Sequence, residues 1–174
     1  MKRSNAFHPD FLAFQKEMYE TPGFTCTNII QDTESTEYGA CTFDLNNKNI
    51  LLHVTFRVAK ITPTKVGQFV TLWKRIPNGP IRPHDLTDNI DLFVISVRDK
   101  NNTEKFGHFI FPLKILCEKN IVSKDFLGGK LGIRVYPPWD ITTSAQAQKT
   151  QAWQLLYFFD ASSDERAPIQ KLYM

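Results

Sequence analysis

Apolar and polar residues alternate most clearly from Ile50 to Val58, where Leu52, Val54, Phe56 and Val58 recur at every second position and His53, Thr55 and Arg57 fall between them. A period of two predicts a strand with one face toward a core. Beyond it the period changes. Thr62 followed by Pro63 has the form of an N-cap and a first helical residue, and Val66, Phe69, Val70 and Trp73 sit at i, i+3, i+4 and i+7. That spacing predicts a helix from Pro63 to Lys74.

The same reading extends along the chain. Pro9 and Asp10 suit a first helical turn, and Phe11, Phe14 and Met18 share a face, so a helix is expected to about Tyr19, ended by Thr21-Pro22-Gly23. Residues 24–36 are polar and read as a loop or an edge strand. Tyr38 to Leu45 reads as a strand joined by the Asn46-Asn47-Lys48-Asn49 turn to the strand at Ile50, forming a hairpin. Residues 76–89 hold three prolines and read as a loop. Leu92 to Val97 is almost wholly apolar, as expected of a central strand covered on both faces, and Lys100-Asn101-Asn102 turns it back into a partner strand from Phe106 to Phe111, which Pro112 closes. Ile115 to Ser123 suggests a turn or two of helix. Lys130 to Tyr136 alternates, with Leu131, Ile133 and Val135 on one face and Lys130, Gly132, Arg134 and Tyr136 on the other. Pro137-Pro138-Trp139-Asp140 is a rigid turn, Thr142 to Phe158 a last helix, and Asp160 to Met174 a polar tail.

These elements predict an α/β fold, and 174 residues suffice for one domain, with a core from about residue 8 to residue 159 between polar tails. Cys26, Cys41 and Cys117 form an odd set without CxxC spacing. They suggest neither a zinc site nor a disulfide framework, but buried thiols in a reducing compartment. Without an apolar signal segment or a run long enough to span a bilayer, a cytoplasmic protein is expected, with no membrane partner.

Charge changes the picture through its distribution rather than its total of +3. From Leu45 to His84 there is no acidic residue, while Lys48, Arg57, Lys60, Lys65, Lys74, Arg75 and Arg82 are basic. Lys60, Thr62, Thr64 and Lys65 surround the predicted helix start, where free backbone N–H groups and the helix dipole favour a phosphate. The plainer alternative is that Thr62 caps the helix and the lysines are solvated. A second acid-free run, Ile141 to Phe159, carries Lys149 and follows Arg134, Tyr136 and Trp139. Aromatic rings among basic residues suit a single-stranded nucleic acid, whose bases stack while its phosphates are neutralised. Trp153 and Tyr157, one helical turn apart, fit a core better, which leaves Trp139 as the candidate stacking ring. The four histidines are scattered, and Gly128-Gly129 lacks the context of a phosphate loop.

The runs FRVAKITPTKVGQFVTLWKR (Phe56 to Arg75), FGHFIFP (Phe106 to Pro112), IRVYPPWD (Ile133 to Asp140) and QKTQAWQ (Gln148 to Gln154) resemble the MepB family over about Tyr38 to Tyr157. The resemblance implies a restriction-endonuclease-like, PD-(D/E)XK-type α/β core, a mixed sheet flanked by helices. It also implies an association with drug response, because the first member was named for its place beside a multidrug efflux pump and its regulator. Nucleases of that group place an acid two residues before a lysine, the carboxylate holding a divalent metal and the lysine serving the attacking water. None of the eighteen acidic residues here has lysine at the second following position, so the catalytic motif is missing. The expectation is therefore a non-catalytic, cofactor-free nucleic-acid-binding protein that prefers RNA or single-stranded DNA to duplex. Its phosphate contacts would run through Arg57, Lys60, Thr62, Thr64, Lys65, Lys74, Arg134 and Lys149, with Trp139 stacking. Two alternatives stand beside it: a divergent metal-dependent nuclease using Asp44 or Asp91, and a small-molecule or partner-binding module using the basic helix start.

Overall fold

The computed structural model describes residues 7–20 and 23–162. The expected tail at 1–5, the Thr21-Pro22 stop and residues 163–174 of the tail expected from Asp160 lie outside them. The chain runs α1 (Pro9–Glu20), β1 (Thr25–Gln31), β2 (Cys41–Asn46), β3 (Leu51–Val58), β4 (Lys60–Ile61), β5 (Gln68–Thr71), β6 (Trp73–Arg75), β7 (Ile81–Pro83), β8 (Leu92–Arg98), β9 (Phe106–Pro112), α2 (Leu113–Glu118), β10 (Gly132–Val135), α3 (Ala145–Gln154) and β11 (Phe158–Asp160). Six strands form a mixed sheet in the order β1-β2-β3-β8-β9-β11, with β3 and β8 parallel and the other neighbours antiparallel. Two smaller sheets, β10-β5-β4 and β6-β7, hold the five remaining strands of the described residues.

Strand β8 shows why the sheet has two covered faces. Leu92 and Val94 point into a cluster with Phe11, Phe14 and Met18 of α1, while Phe93, Ile95 and Val97 point into a second cluster with Val70, Leu72, Ile133 and Val135 of the small sheets. An apolar run with no polar alternation is what double burial requires. Helix α1 is fixed at its start by Asp10, a buried carboxylate that accepts from Ser96 Oγ at 3.0 Å and from Arg98 Nε and Nη2 at 3.0 and 2.5 Å. The polar segment after α1 is the edge strand β1, whose pairing with β2 slips between Thr27 and Ile30, where Asn28 has φ 51°.

The helix expected from Pro63 to Lys74 is absent, so no helix N-terminus gathers Lys60, Thr62, Thr64 and Lys65. In its place are the end of β4, an irregular loop, β5 and β6. Val66, on the supposed apolar stripe, is 44% exposed, and Gln68, off it, is 3% exposed and donates to the Arg98 carbonyl at 2.6 Å. Gly67 has φ 82°, outside the right-handed helical region, and its missing side chain admits the Tyr136 ring, which a Cβ there would meet at 2.7 Å. With Thr62, Thr64, Val66, Val70 and Thr71 all β-branched, the segment has the composition of strands. The last helix is also shorter than expected. Ser144 caps α3 by accepting from Ala147 N at 3.1 Å, α3 ends at Gln154, and residues 158–160 form β11 against β9 instead of continuing as helix and tail. Tyr38 belongs to a short 3-10 turn before β2 rather than to the strand.

The Asp10 anchor carries a stability prediction. Asp10→Ala leaves Ser96 and Arg98 without their acceptor beneath α1, and because Arg98 keeps partial access to solvent the expected loss is about 2–3 kcal/mol. Chemical denaturation that shows Asp10→Ala within about 0.5 kcal/mol of the parent would mean the anchor is decorative.

Candidate anion-binding groove

Most of the basic residues that stand without acids in the sequence meet acids in the fold. Arg57 is only 4% exposed, so its place on an open polar face is not borne out; its Nη1 donates to the Phe56 carbonyl at 2.9 Å and Nη2 lies 3.7 Å from Asp32. Lys60 sits 3.2 Å from Glu37 and over the Tyr38 ring. Arg75 Nε donates to both oxygens of Glu34, at 2.6 and 2.9 Å, and Lys74 donates to Asp88. Three of these acids come from the β1–β2 connection and the fourth from just beyond the acid-free run. Arg57, Lys60 and Lys74 are thereby occupied by protein carboxylates.

Other cations remain. Among the described residues Lys65, Lys130 and Lys149 have no ion-pair partner. Lys65, Lys130 and Arg134 line one groove of about 450 Å³, with Phe69, Tyr136 and Thr150 beside them and no acidic residue in its wall. Its floor is the β5–β10 pair, in which Arg134 lies opposite Phe69. Its far wall is α3, locked on by Gln154. That buried amide accepts from Tyr136 N at 2.9 Å and donates to the Arg134 carbonyl at 2.9 Å, bonding the strand's end as a neighbouring strand would. Arg134 Nη1 donates to Thr62 Oγ1 at 3.0 Å and reaches the Val66 and Gly67 carbonyls at 3.4 Å, so Nε and Nη2 have no protein partner among the described residues. Thr62 thus holds Arg134 rather than capping a helix.

A second depression of about 410 Å³ shares Lys65 and is also lined by Thr62, Thr64, Lys100, Trp139 and Asp140. Burial raises the Asp140 pKa, and nearby Asp99 adds to the shift. Trp139 is a poor stacking platform. It is half-buried, meets Phe158 edge-on at 5.7 Å between centroids, and has Lys105 5.6 Å from its centroid. Trp153 and Tyr157 pack on Phe111, as their helical spacing suggests. Lys149 is exposed on α3 but does not line the groove. Lys130 and Thr150 complete the groove and were legible only in part: Lys130 shares Arg134's face in the strand pattern, while Thr150 depends on how α3 docks.

Asp44 and Asp91 converge on His53. Asp44 lies 2.6 Å from His53 Nδ1 and accepts from Asn28 at 2.8 Å, and Asp91 accepts from the His53 backbone N–H at 2.7 Å. Among the described residues, no group of three or more His, Cys, Asp or Glu side chains is placed to hold a metal ion. Cys26 and Cys41 are buried free thiols, their pKa values pushed by burial to about 11 and about 12, and Cys117 is half-buried. No helix among the described residues is long and apolar enough to cross a membrane.

The family model described as MepB-like matches residues 32–160, a stretch that contains β2 to β10 and both the floor and the far wall of the groove. This chain belongs to the MepB-like family. A solved crystal structure of MepB is 30% identical to it and superposes with a TM-score of 0.72, covering 91% of this chain and 99% of that one. No curated protein matches the chain.

Within this MepB-like fold the paired charges meet at His84, which packs edge-on against Phe93 at 5.1 Å and lies 3.3 Å from Asp88. Burial lowers its pKa to about 4, Arg57 nearby adds to the shift, and Asp88 opposes it. The unfolded chain takes up that proton near pH 6.5 and the folded chain only near pH 4, so stability falls as pH drops through this window, by up to about 3 kcal/mol. Urea melts of His84→Gln should show a flatter pH dependence than the parent between pH 6.5 and 4. Parallel curves would assign the acid sensitivity to another group.

Proposed function

We propose that this MepB-like chain is a cytoplasmic protein that binds single-stranded nucleic acid, RNA or DNA, in the groove between β10 and α3, more weakly binds duplex, and does not cut the strand. One observation carries the reading: Lys65, Lys130 and Arg134 keep charge unspent on protein carboxylates, in one groove without acids. Phosphates need such cations, and the Tyr136 and Phe69 rings beside them offer surfaces for bases. The absence of cleavage is argued from the missing acid-x-lysine pair on what we read as a nuclease-like scaffold. A second reading, an anionic small molecule in the same groove, is favoured by the volume of about 450 Å³, within the range of small-ligand sites.

Fluorescence anisotropy with a labelled single strand tests the proposal. Lys65→Ala, Lys130→Ala should weaken binding about equally for all sequences and flatten the slope of log affinity against log salt by roughly 0.7 per lost contact. Lys60→Ala, which removes a cation already held by Glu37, should change little. Equal affinity and slope in the parent and the double variant would sink the groove. Competition by a mononucleotide as effective as that by an oligonucleotide would favour the small-molecule reading. Shortening of the labelled strand with Mg²⁺ or Mn²⁺ would overturn the non-catalytic part.

A further inference from the structure

The connection from α2 to β10 ends in a turn, Ser123 to Gly129, built at conformational expense. Asp125, Phe126, Gly128 and Gly129 have φ of 53°, 64°, 75° and 84°. Glycine adopts such angles freely, whereas for Phe126 the left-handed conformation costs on the order of 1–2 kcal/mol. The restraint comes from Asp85, which is fully buried. Its carboxylate accepts from Ser123 Oγ at 2.6 Å, Phe126 N at 2.8 Å, Thr87 Oγ1 at 2.7 Å and Thr87 N at 3.0 Å. Backbone bonds from Ser123 N to the His84 carbonyl and from Leu86 N to the Ser123 carbonyl clamp the base of the turn.

A buried charge and a strained backbone are thus spent on a turn whose tip contributes nothing to the core. Phe126 is 60% and Leu127 77% exposed. The Arg82 guanidinium lies 4.8 Å from the Phe126 ring centroid, and exposed Lys124 and Lys130 flank the tip in the chain. Lys130, the residue after Gly129, is also a lining residue of the groove, so the chain runs directly from the turn into the groove's wall. Strain held in place by a dedicated network is a mark of sites that must present a group rigidly. An exposed ring with a guanidinium over one face fits a base carried by phosphates, since stacking can use the other face and the charge neutralises the backbone.

We propose that Phe126 is a stacking platform for an unpaired base of the single strand lying in the Lys65–Lys130–Arg134 groove, with Leu127 covering the base's edge. The proposal rests on the groove reading and adds to it where the strand leaves the groove. It assigns to the turn the part that the sequence suggested for Trp139.

The test is Phe126→Gly with an oligonucleotide carrying 2-aminopurine, whose fluorescence is quenched on stacking. The parent should quench the probe. Phe126→Gly removes ring and strain together, so it should melt at or above the parent's temperature, lose the quenching, and bind about five- to a hundredfold more weakly with an unchanged salt slope. Phe126→Asn, which also tolerates the left-handed angle, should behave alike, and Phe126→Trp should keep both affinity and quenching. If the glycine and asparagine variants bind like the parent while Lys65→Ala, Lys130→Ala loses affinity, the platform is wrong and the groove stands. If both melt well below the parent, Phe126 is a packing residue and the proposal falls. If the parent binds no single strand, the groove reading fails and takes the platform with it.

Discussion

The parallel pairing of β3 with β8 is the constraint from which the rest of the structure follows. Antiparallel neighbours can be joined by a tight turn, but parallel neighbours need a crossover that carries the chain over one face of the sheet. Here that crossover is residues 59–91, and it contains β4 to β7 instead of a long helix. The segment must therefore cover the second apolar face, which it does with Val70 and Leu72, while β10 adds Ile133 and Val135 beside them. Its basic residues are carried across the sheet with it, and there Lys60 meets Glu37 and Arg75 meets Glu34, acids of the connection that links β1 to β2.

That route explains why charge read along the chain differs from charge read across the surface. The acid-free run is real in sequence, but Arg57, Lys60, Lys74 and Arg75 find carboxylates 14 to 41 residues away. Such partners cannot be seen from spacing, because the crossover that unites them is a tertiary event. Of the described cations left without a carboxylate, Lys65, Lys130 and Arg134 lie on the side of the small sheet turned toward α3, and the docking of Gln154 defines that side. Arg134 and Lys65 were nameable in advance; their separation from Lys60 and Lys74 was not.

Legibility of the fold followed the same division. Leu92 to Val97 could be read at once, since an apolar run of that length between turns has few other uses, and Phe11, Phe14 and Met18 made α1 equally plain. Residues 62–74 misled because four apolar positions satisfied a helical period while strand composition and Gly67 argued otherwise. The glycine mattered most, and its role depends on Tyr136, nearly seventy residues later. Phe126 drew no attention because an aromatic in a glycine-rich turn resembles any loop residue until its backbone angle and Asp85 are seen together.

The slipped pairing in β1 has a consequence for the molecule among its own copies. An open sheet edge offers a row of unpaired amides and carbonyls on which another chain could add a strand. Strand β1 is such an edge, seven residues long and with Ile30 exposed, but the irregularity at Asn28 breaks its straight run near the middle. A bulge of this kind twists an edge out of register with any flat partner. At the opposite edge β11 is only three residues long, too short a template to extend. Among the described residues both edges of the sheet are thus poor templates for a further strand, by their own geometry rather than by surface charge.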